Sequence, residues 1–255
     1  MSSEICARDI DFFRGQRQIL YRAGIALGSG ELIALVGPNG SGKSTLLRVL
    51  AGLLQPASGE VSLQGRPLAD FSRAQRAALV SYLPQETRLY WDFRVEELMD
   101  MTSATAGGLP GWLAPTRPLD PALSQEFDLA PLQGRVLNQL SGGERARALL
   151  AAAIARQPKV LLADEPLASL DIAHQLSLLR LLRQLKTRCA CIVVMHDLNL
   201  ASRFADRMVL LDGGRSILDG PSQEVMASTQ LDKVFAVAFS RSLVDGKIIV
   251  GAREN

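Results

Sequence analysis

Three features that mark other kinds of protein are scarce in this sequence: cysteine, an excess of one charge, and long apolar stretches. Cys6, Cys189 and Cys191 have neither metal-binding nor redox spacing, so we expect small buried side chains in a reducing compartment and no disulfide framework. The 28 basic and 26 acidic residues leave a formal net charge of +2, which is too small an excess to neutralise many nucleic-acid phosphates. We therefore expect no nucleic-acid partner.

The longest apolar stretches, residues 148–155 and 189–195, are far shorter than the roughly 20 residues that a membrane-spanning helix needs. The N-terminal residues mix acids and arginines without an apolar core and cleavage site, which is unlike a secretory signal. Both observations predict a cytoplasmic chain. The length of 255 residues and the ordinary share of apolar residues, 47%, fit one α/β domain that carries a smaller lobe.

Apolar runs of strand length alternate with helical patterns along much of the chain. The first thirty residues alternate loosely between polar and apolar, with turn signals, as antiparallel strands do. Buried strands are predicted at residues 31–36, 80–84, 160–163, 191–195 and 208–211, and helices at 43–51 and from near residues 172 and 197. This alternation predicts a parallel sheet wrapped by helices, with the tail after residue 213 decorating that core.

The middle of the chain has a different character. Leucine and alanine with helical periodicity dominate residues 93–158, interrupted by a Gly/Pro-rich stretch at 107–121. We expect a helical lobe there with one exposed loop.

A phosphate-binding pattern, G-x4-G-K-[ST], follows the first buried strand and precedes a helix. Its residues are Gly37, Pro38, Asn39, Gly40, Ser41, Gly42, Lys43, Ser44 and Thr45. Glycines let backbone N–H groups converge on phosphates, and the N-terminus of the next helix adds partial positive charge. We expect Lys43 to contact the β and γ phosphates of ATP, Ser44 to hold Mg²⁺, and Thr45 to support the α phosphate.

Two carboxylates, Asp164 and Glu165, stand where the strand at 160–163 ends. Ligands of open α/β sheets bind at that edge, so we expect Asp164 to hold Mg²⁺, directly or through a ligand of the ion, and Glu165 to orient or deprotonate the attacking water. The plainer alternative is a solvated turn with a salt bridge, but the phosphate-binding loop upstream favours the functional interpretation.

The segment Leu140-Ser141-Gly142-Gly143-Glu144 opens a helical run. Ser141 and Glu144 fit a capping box, so a simple helix start is one interpretation. Capping does not require two adjacent glycines, which are poor helix formers unless the backbone must approach something closely. A second phosphate is the natural candidate.

In their order and spacing, the phosphate-binding loop, LSGGE and Asp164-Glu165-Pro166 resemble the ATPase domain of ATP-binding cassette (ABC) transporters. The resemblance covers essentially the whole chain. It implies one domain over residues 1–255, with a P-loop NTPase core of the RecA-like kind and an N-terminal antiparallel β subdomain in residues 1–92 and 159–255. The inserted α-helical subdomain is then 93–158. It also implies that Ser141, Gly142 and Gly143 bind the γ phosphate of ATP held by the opposite subunit.

Other functional positions follow from the same resemblance. Gln85 resembles the glutamine that contacts Mg²⁺ or water and joins the core to the helical lobe. The next segment, 86–95, would face membrane subunits. Asp171 resembles the aspartate of the D-loop at the dimer interface, and His196 resembles the switch histidine at the γ phosphate. We interpret the other histidine, His174, as structural or exposed.

The contact to adenine departs from the family pattern. The family stacks adenine on an aromatic residue of the first hairpin, where ungapped counting places Arg14. Arg14 can stack through its guanidinium plane, or a shift of one residue can present Phe13. Both alternatives remain open.

The resemblance implies a homodimer that closes around two ATP and drives integral membrane permease subunits, working indirectly with a substrate-binding protein. Residues 195–206 and 220–225 are similar to ATPases that power uptake of iron chelates, haem or cobalamin. A peripheral location at the cytoplasmic face of the inner membrane follows. The alternatives are a soluble ABC ATPase of DNA maintenance, which usually has coiled-coil insertions or extra domains, a scaffold ATPase of iron–sulfur assembly without membrane subunits, and a degenerate regulatory ATPase. The last is disfavoured because Lys43, Asp164, Glu165 and His196 are all present.

Overall fold

The computed structural model of the chain describes residues 3–85, 93–103 and 119–253. Its strands are β1 (Ser3–Arg14), β2 (Arg17–Gly28), β3 (Leu32–Val36), β4 (Ser58–Leu63), β5 (Arg66–Pro67), β6 (Val80–Leu83), β7 (Val160–Ala163), β8 (Ala190–Val194), β9 (Arg207–Asp212), β10 (Arg215–Pro221), β11 (Phe239–Val244) and β12 (Lys247–Ala252). Its helices are α1 (Lys43–Leu50), α2 (Arg73–Leu79), α3 (Val95–Ser103), α4 (Pro121–Glu126), α5 (Gly142–Ile154), α6 (Ile172–Leu185), α7 (Leu198–Phe204), α8 (Ser222–Ala227) and α9 (Gln230–Phe235). Most of the predicted loop at 107–121 and of the segment at 86–95 lies outside the described residues.

The main sheet has six strands in the order β10-β9-β3-β8-β7-β6. Its five strands from β9 to β6 run parallel. Every residue of β3, β7 and β8 is buried, because both faces of a parallel sheet are covered by other elements and each strand is apolar throughout. The predicted parallel core is confirmed, and β8 begins one residue earlier than the apolar run indicated.

The N-terminal strands form a separate four-stranded antiparallel sheet in the order β2-β1-β4-β5. The burial of β1 and β2 alternates irregularly along their length, and the register between them shifts in several places. One face of this sheet contributes to a hydrophobic cluster with residues of α1, β3 and β8. The expected antiparallel β subdomain is therefore present, and its strand β2 lies beside the end of the phosphate-binding loop at Gly42.

Three helices, α3, α4 and α5, lie between β6 and β7 in the described part of the chain. Phe127 and Leu129 of this segment are fully buried and belong to the same hydrophobic cluster as Leu161 of the main sheet. The segment thus shares a continuous apolar core with one face of the sheet. The division into residues 1–92, 93–158 and 159–255 stays a prediction.

The chain after residue 206 contains both predicted hairpins, and one of them is part of the main sheet. β10 pairs antiparallel with β9 and so extends the main sheet at its edge. The second hairpin, β11–β12, is joined to α7 through the side chain of Asn199, which bonds both the N–H and the carbonyl of Val250. Among the described helices, none has the length and apolar character needed to cross a bilayer.

Candidate functional site

The phosphate-binding loop turns sharply between β3 and α1, and glycines make this turn possible. Gly37, Gly40 and Gly42 have φ angles of 148°, 77° and 103°. Residues with a side chain rarely adopt this backbone conformation. A Cβ on Gly37 would also lie 2.0 Å from the carbonyl oxygen of Leu211. Any other residue would strain the loop backbone at these positions, and at position 37 it would also clash with Leu211.

Lys43 begins α1 and is almost completely buried, at 5% exposure. Its Nζ donates to the carbonyl oxygens of Gly37 at 2.8 Å and Pro38 at 2.9 Å. Burial lowers the pKa of Lys43, and the charges of Glu165 and Asp164 oppose that shift. An ammonium has three N–H donors, so this buried cation has one donor left for an anion.

A second buried donor lies in the same loop. The hydroxyl oxygen of Ser41 is buried and has no hydrogen-bond partner among the described residues. Buried polar groups are nearly always satisfied in folded proteins. The unused hydroxyl and the unused ammonium donor both fit a loop shaped to bind phosphate oxygens.

The loop is supported from the tail by the turn between β9 and β10. The N–H of Gly214 donates to the carbonyl of Ser41 at 3.0 Å, and the carbonyl of Gly214 accepts from the N–H of Tyr21 at 2.9 Å. A Cβ on Gly214 would lie 2.2 Å from the carbonyl oxygen of Ile19. This glycine therefore joins the phosphate-binding loop to strand β2.

Asp164 follows β7 and is fully buried. Its Oδ1 accepts from the hydroxyl of Ser44 at 2.8 Å, and its Oδ2 accepts from the hydroxyl of Tyr82 at 3.1 Å. Arg48 Nε donates to the Tyr82 oxygen at 3.2 Å, and burial raises the pKa of the Tyr82 phenol. The paired Ser44 and Asp164 oxygens are hard ligands of the type that Mg²⁺ prefers, usually with substrate phosphates completing the shell, so these residues fit the expected metal.

Glu165 lies at the same sheet edge with a φ of 52°. Gln85 Nε2 donates to its Oε2 at 2.6 Å, and His196 Nε2 lies 2.7 Å from its Oε1. The three residues predicted to be catalytic therefore meet at one carboxylate. Each carboxylate oxygen can accept more than one hydrogen bond, so Glu165 retains the capacity to accept a proton from water.

A cavity of about 670 Å³ extends over these groups. Its lining consists of Arg14, Arg17, Ile19, Asn39, Gly40, Gly42, Lys43, Ser44, Thr45, Gln85, Glu165 and His196. Arg14 thus reaches the cavity, whereas Phe13 does not line it, is 45% exposed and pairs with Gln18 across the hairpin. Adjacent residues of a strand point to opposite faces, which explains why only one of them reaches the cavity.

Ser141, Gly142 and Gly143 lie outside the lining of this cavity. Ser141 caps α5, with the reciprocal bonds to Glu144 that a capping box requires. Asp171 caps α6 and is also outside the cavity lining. A second cavity of about 350 Å³ lies between these segments and is lined in part by Gln85, Gly142 and Glu165.

The structure adds four residues to the site that the sequence did not single out: Tyr82, Arg48, Arg17 and Ile19. Arg17 and Ile19 follow the hairpin turn next to Arg14, and strand alternation from Arg14 across that turn was an available signal. Tyr82 and Arg48 carried no such signal, because their contact depends on the packing of α1 against β6.

Known proteins resemble this chain over most of its length. The sequence model of the ABC transporter family matches residues 20–168 of this chain. A protein from Bradyrhizobium diazoefficiens named hemin import ATP-binding protein HmuV is 38% identical over 251 residues, covering 93% of this chain and 90% of that protein. A protein of the same name from Streptomyces coelicolor is 41% identical over 222 residues, covering 87% of this chain and 79% of that protein.

Solved structures show the same fold. The ATP-binding subunit of an ABC transporter is 25% identical, with a TM-score of 0.76, and the match covers 92% of this chain and 98% of that one. An ATP-binding cassette of an ABC transporter in its ADP conformation is 20% identical, with a TM-score of 0.81 and coverage of 92% and 99%. The second match concerns the fold alone. The family match over more than half of the chain, together with a phosphate-binding loop facing a carboxylate pair, means that this protein belongs to the ABC transporter family, as one of its ATP-hydrolysing subunits.

Proposed function

We propose that two copies of this chain close head to tail around two ATP molecules, and that each composite site uses the phosphate-binding loop of one copy and Ser141–Gly143 of the other. One observation carries this proposal: the Ser141–Gly143 turn lies outside the nucleotide cavity of its own chain. The turn presents backbone N–H groups at the start of α5, a helix of 13 residues. Such N–H groups attract phosphate, and the phosphate of a second copy is the one that the family resemblance implies.

Within each site the roles follow from the contacts. Lys43 holds the β and γ phosphates, and Ser44, Asp164 and Gln85 are the residues that would hold Mg²⁺. When bound, Mg²⁺ offsets the negative charge of the phosphates. Glu165 orients the attacking water and accepts its proton, and Gln85 and His196 hold the Glu165 carboxylate in place.

Arg14 is our proposed contact for adenine. It lines the cavity, and in the described part of the chain its guanidinium has no ion pair. A planar guanidinium can stack on a base, although without the ring of the usual aromatic residue. Asp171 is proposed to cross to the other copy, as in the family.

We further propose that the dimer drives integral membrane permease subunits that import haem or a related iron chelate, in cooperation with a substrate-binding protein. The names of the relatives support haem as cargo, and the similarity of residues 195–206 to importers of iron chelates or cobalamin agrees with it. The chain would then work peripherally at the cytoplasmic face of the inner membrane. A soluble ABC ATPase without membrane subunits is the competing function.

The dimer is tested with Glu165→Gln in the full chain. We expect this variant to bind ATP, to hydrolyse it on the order of a hundredfold more slowly because the general base is lost, and to double its mass with ATP in light scattering. Adding Ser141→Arg should prevent the ATP-dependent dimer while leaving ATP binding to the monomer intact. A Glu165→Gln chain that stays monomeric with ATP, or that hydrolyses it at the parent rate, contradicts the proposal.

The transport function is tested by isolating the chain with its membrane partners. A stable complex whose ATPase rate rises on addition of haem-loaded substrate-binding protein is the expected result. Purification with no integral membrane protein would favour the soluble alternative.

A further inference from the structure

A contact within one chain joins the Ser141–Gly143 turn to the start of α6. His174 lies in the first turn of α6, and its Nδ1 is 2.8 Å from Asp171 Oδ1. The backbone N–H of His174 donates to the same oxygen, also at 2.8 Å. These bonds, the backbone bond first, lower the pKa of Asp171, so the aspartate is held in its charged form as an acceptor.

The other edge of the imidazole ring lies against Gly143. A Cβ built on Gly143 would lie 1.9 Å from Cδ2 and 2.5 Å from Nε2 of His174. Atoms of a real side chain essentially never approach so closely, so the ring occupies the space that any other residue at 143 would fill. The close approach that the two adjacent glycines indicated is made, at this position, by a histidine of the same chain.

Gly142 provides an internal comparison. Its Cβ would meet Leu170 Cδ2 at 3.3 Å, a contact that a small shift relieves, and no atom of His174 is among its near neighbours. Gly143 lies within α5 and has no left-handed φ. The helix backbone there accepts alanine, so within one chain the His174 ring is the group that a methyl group at 143 would push aside.

We propose that His174 is a positioning residue, which fixes the Ser141–Gly143 turn relative to Asp171, and that position 143 is glycine to admit the imidazole ring. This inference rests on the proposed ATP-bound dimer, in which both segments face the other copy. α5 and α6 come from different parts of the chain, and His174 makes their two N-terminal ends one preformed surface. Order established before association lowers the entropy that closure of the dimer costs.

The test uses the full chain with Glu165→Gln, whose ATP-dependent dimerisation is measured by sedimentation. His174→Ala should weaken dimerisation about tenfold, the scale of one lost hydrogen bond to a charged group. Gly143→Ala should weaken it at least as much, because the new methyl group displaces the ring from Asp171. The double variant should return to within about threefold of His174→Ala, since the two changes act on one contact.

Gly142→Ala with and without His174→Ala is the matched control, and His174→Ala should not rescue it. Binding of a fluorescent ATP analogue to the monomer should be unchanged by His174→Ala, which separates positioning from nucleotide contact. Circular dichroism checks folding, and His174→Asn replaces His174→Ala if the latter is unfolded.

Three results would overturn the inference alone: full dimerisation of His174→Ala, a double variant as defective as Gly143→Ala, or equal rescue of Gly142→Ala. If the Glu165→Gln parent itself fails to dimerise with ATP, the proposed function fails and this inference fails with it.

Discussion

Tyr82 is the residue whose replacement tests the geometry of the metal-binding carboxylate most directly. Its hydroxyl donates to Asp164 Oδ2 at 3.1 Å, while Oδ1 accepts from Ser44 at 2.8 Å. Burial raises the pKa of the phenol, so the hydroxyl keeps its proton at neutral pH. Tyr82→Phe removes this donor alone and leaves the ring in place.

The size of the effect follows from the burial of Asp164, which has no exposed surface. A buried charged acceptor that loses its donor costs about 1–3 kcal/mol, and loss of a partner behind a metal ligand typically costs about 10–100-fold in metal affinity. We expect Tyr82→Phe to raise the Mg²⁺ concentration for half-maximal ATPase about tenfold. The rate at saturating Mg²⁺ should stay within about threefold, because no group that contacts substrate has changed.

The assay is steady-state ATP hydrolysis by the full chain as free Mg²⁺ is varied at fixed ATP. Tyr21→Phe is the matched control, since Tyr21 packs on Arg215 at 5.2 Å and does not line the nucleotide cavity. An unchanged Mg²⁺ requirement in Tyr82→Phe, or the same shift in Tyr21→Phe, would refute the reasoning.

Further substitutions test the phosphate-binding loop, the adenine contact and the C-terminal part of the chain. Lys43→Met should not lower the melting temperature without nucleotide, because burial already lowers the pKa of Lys43, and it should abolish the stabilisation by ATP; a clear loss of stability without nucleotide would argue against this. In titration calorimetry, Arg14→Ala should weaken ATP binding several-fold, about 1 kcal/mol, whereas Phe13→Ala should leave it unchanged. If Phe13→Ala weakens ATP binding and Arg14→Ala does not, the adenine contact belongs to Phe13. The hydrogen bonds and charge of Arg241 lower the pKa of Asp232 to about 2. The charged carboxylate therefore stabilises the fold at any pH above its ordinary pKa, and this contribution is lost as the pH falls through about 2. In urea titrations, Asp232→Asn should be less stable than the parent at pH 7 and should lose less stability between pH 4 and pH 2.

Local sequence patterns predicted much of the fold. The strand at Val160–Ala163 has the bounds that its apolar run indicated, and Ser141 and Glu144 form the predicted capping box. The place of β10 could not be predicted, because a hairpin signal shows that two strands pair but not which sheet they extend. α5 begins at Gly142, at the very glycines that helix propensity disfavours, because the cap and the tertiary contact there outweigh propensity.

The candidate site was predictable where one motif carries it and not where distant elements meet. The convergence of Gln85 and His196 on Glu165 followed from a family resemblance and from strand ends at one sheet edge. The adjacent glycines indicated a close approach at Gly143, but nothing in the sequence identified His174 as the residue that makes it, since a histidine in the first turn of a helix fits an exposed position equally well. Gly143 and His174 are 31 positions apart in the chain, so their contact depends on how α5 packs against α6. The hydrophobic periodicity of each helix does not specify that packing.

Gly214 supports the phosphate-binding loop but lies outside the part of the chain by which the family is recognised. The family match ends at residue 168, yet the carbonyl of Ser41 is held by an amide 173 positions further along the chain. A fragment cut after the last matched residue would keep the phosphate-binding loop, the carboxylate pair and the Ser141–Gly143 turn. It would lose the Gly214 hydrogen bond to the loop and strands β8, β9 and β10 of the main sheet. Such a fragment would still be recognised by its motifs and would no longer hold the loop in a shape that can grip a triphosphate.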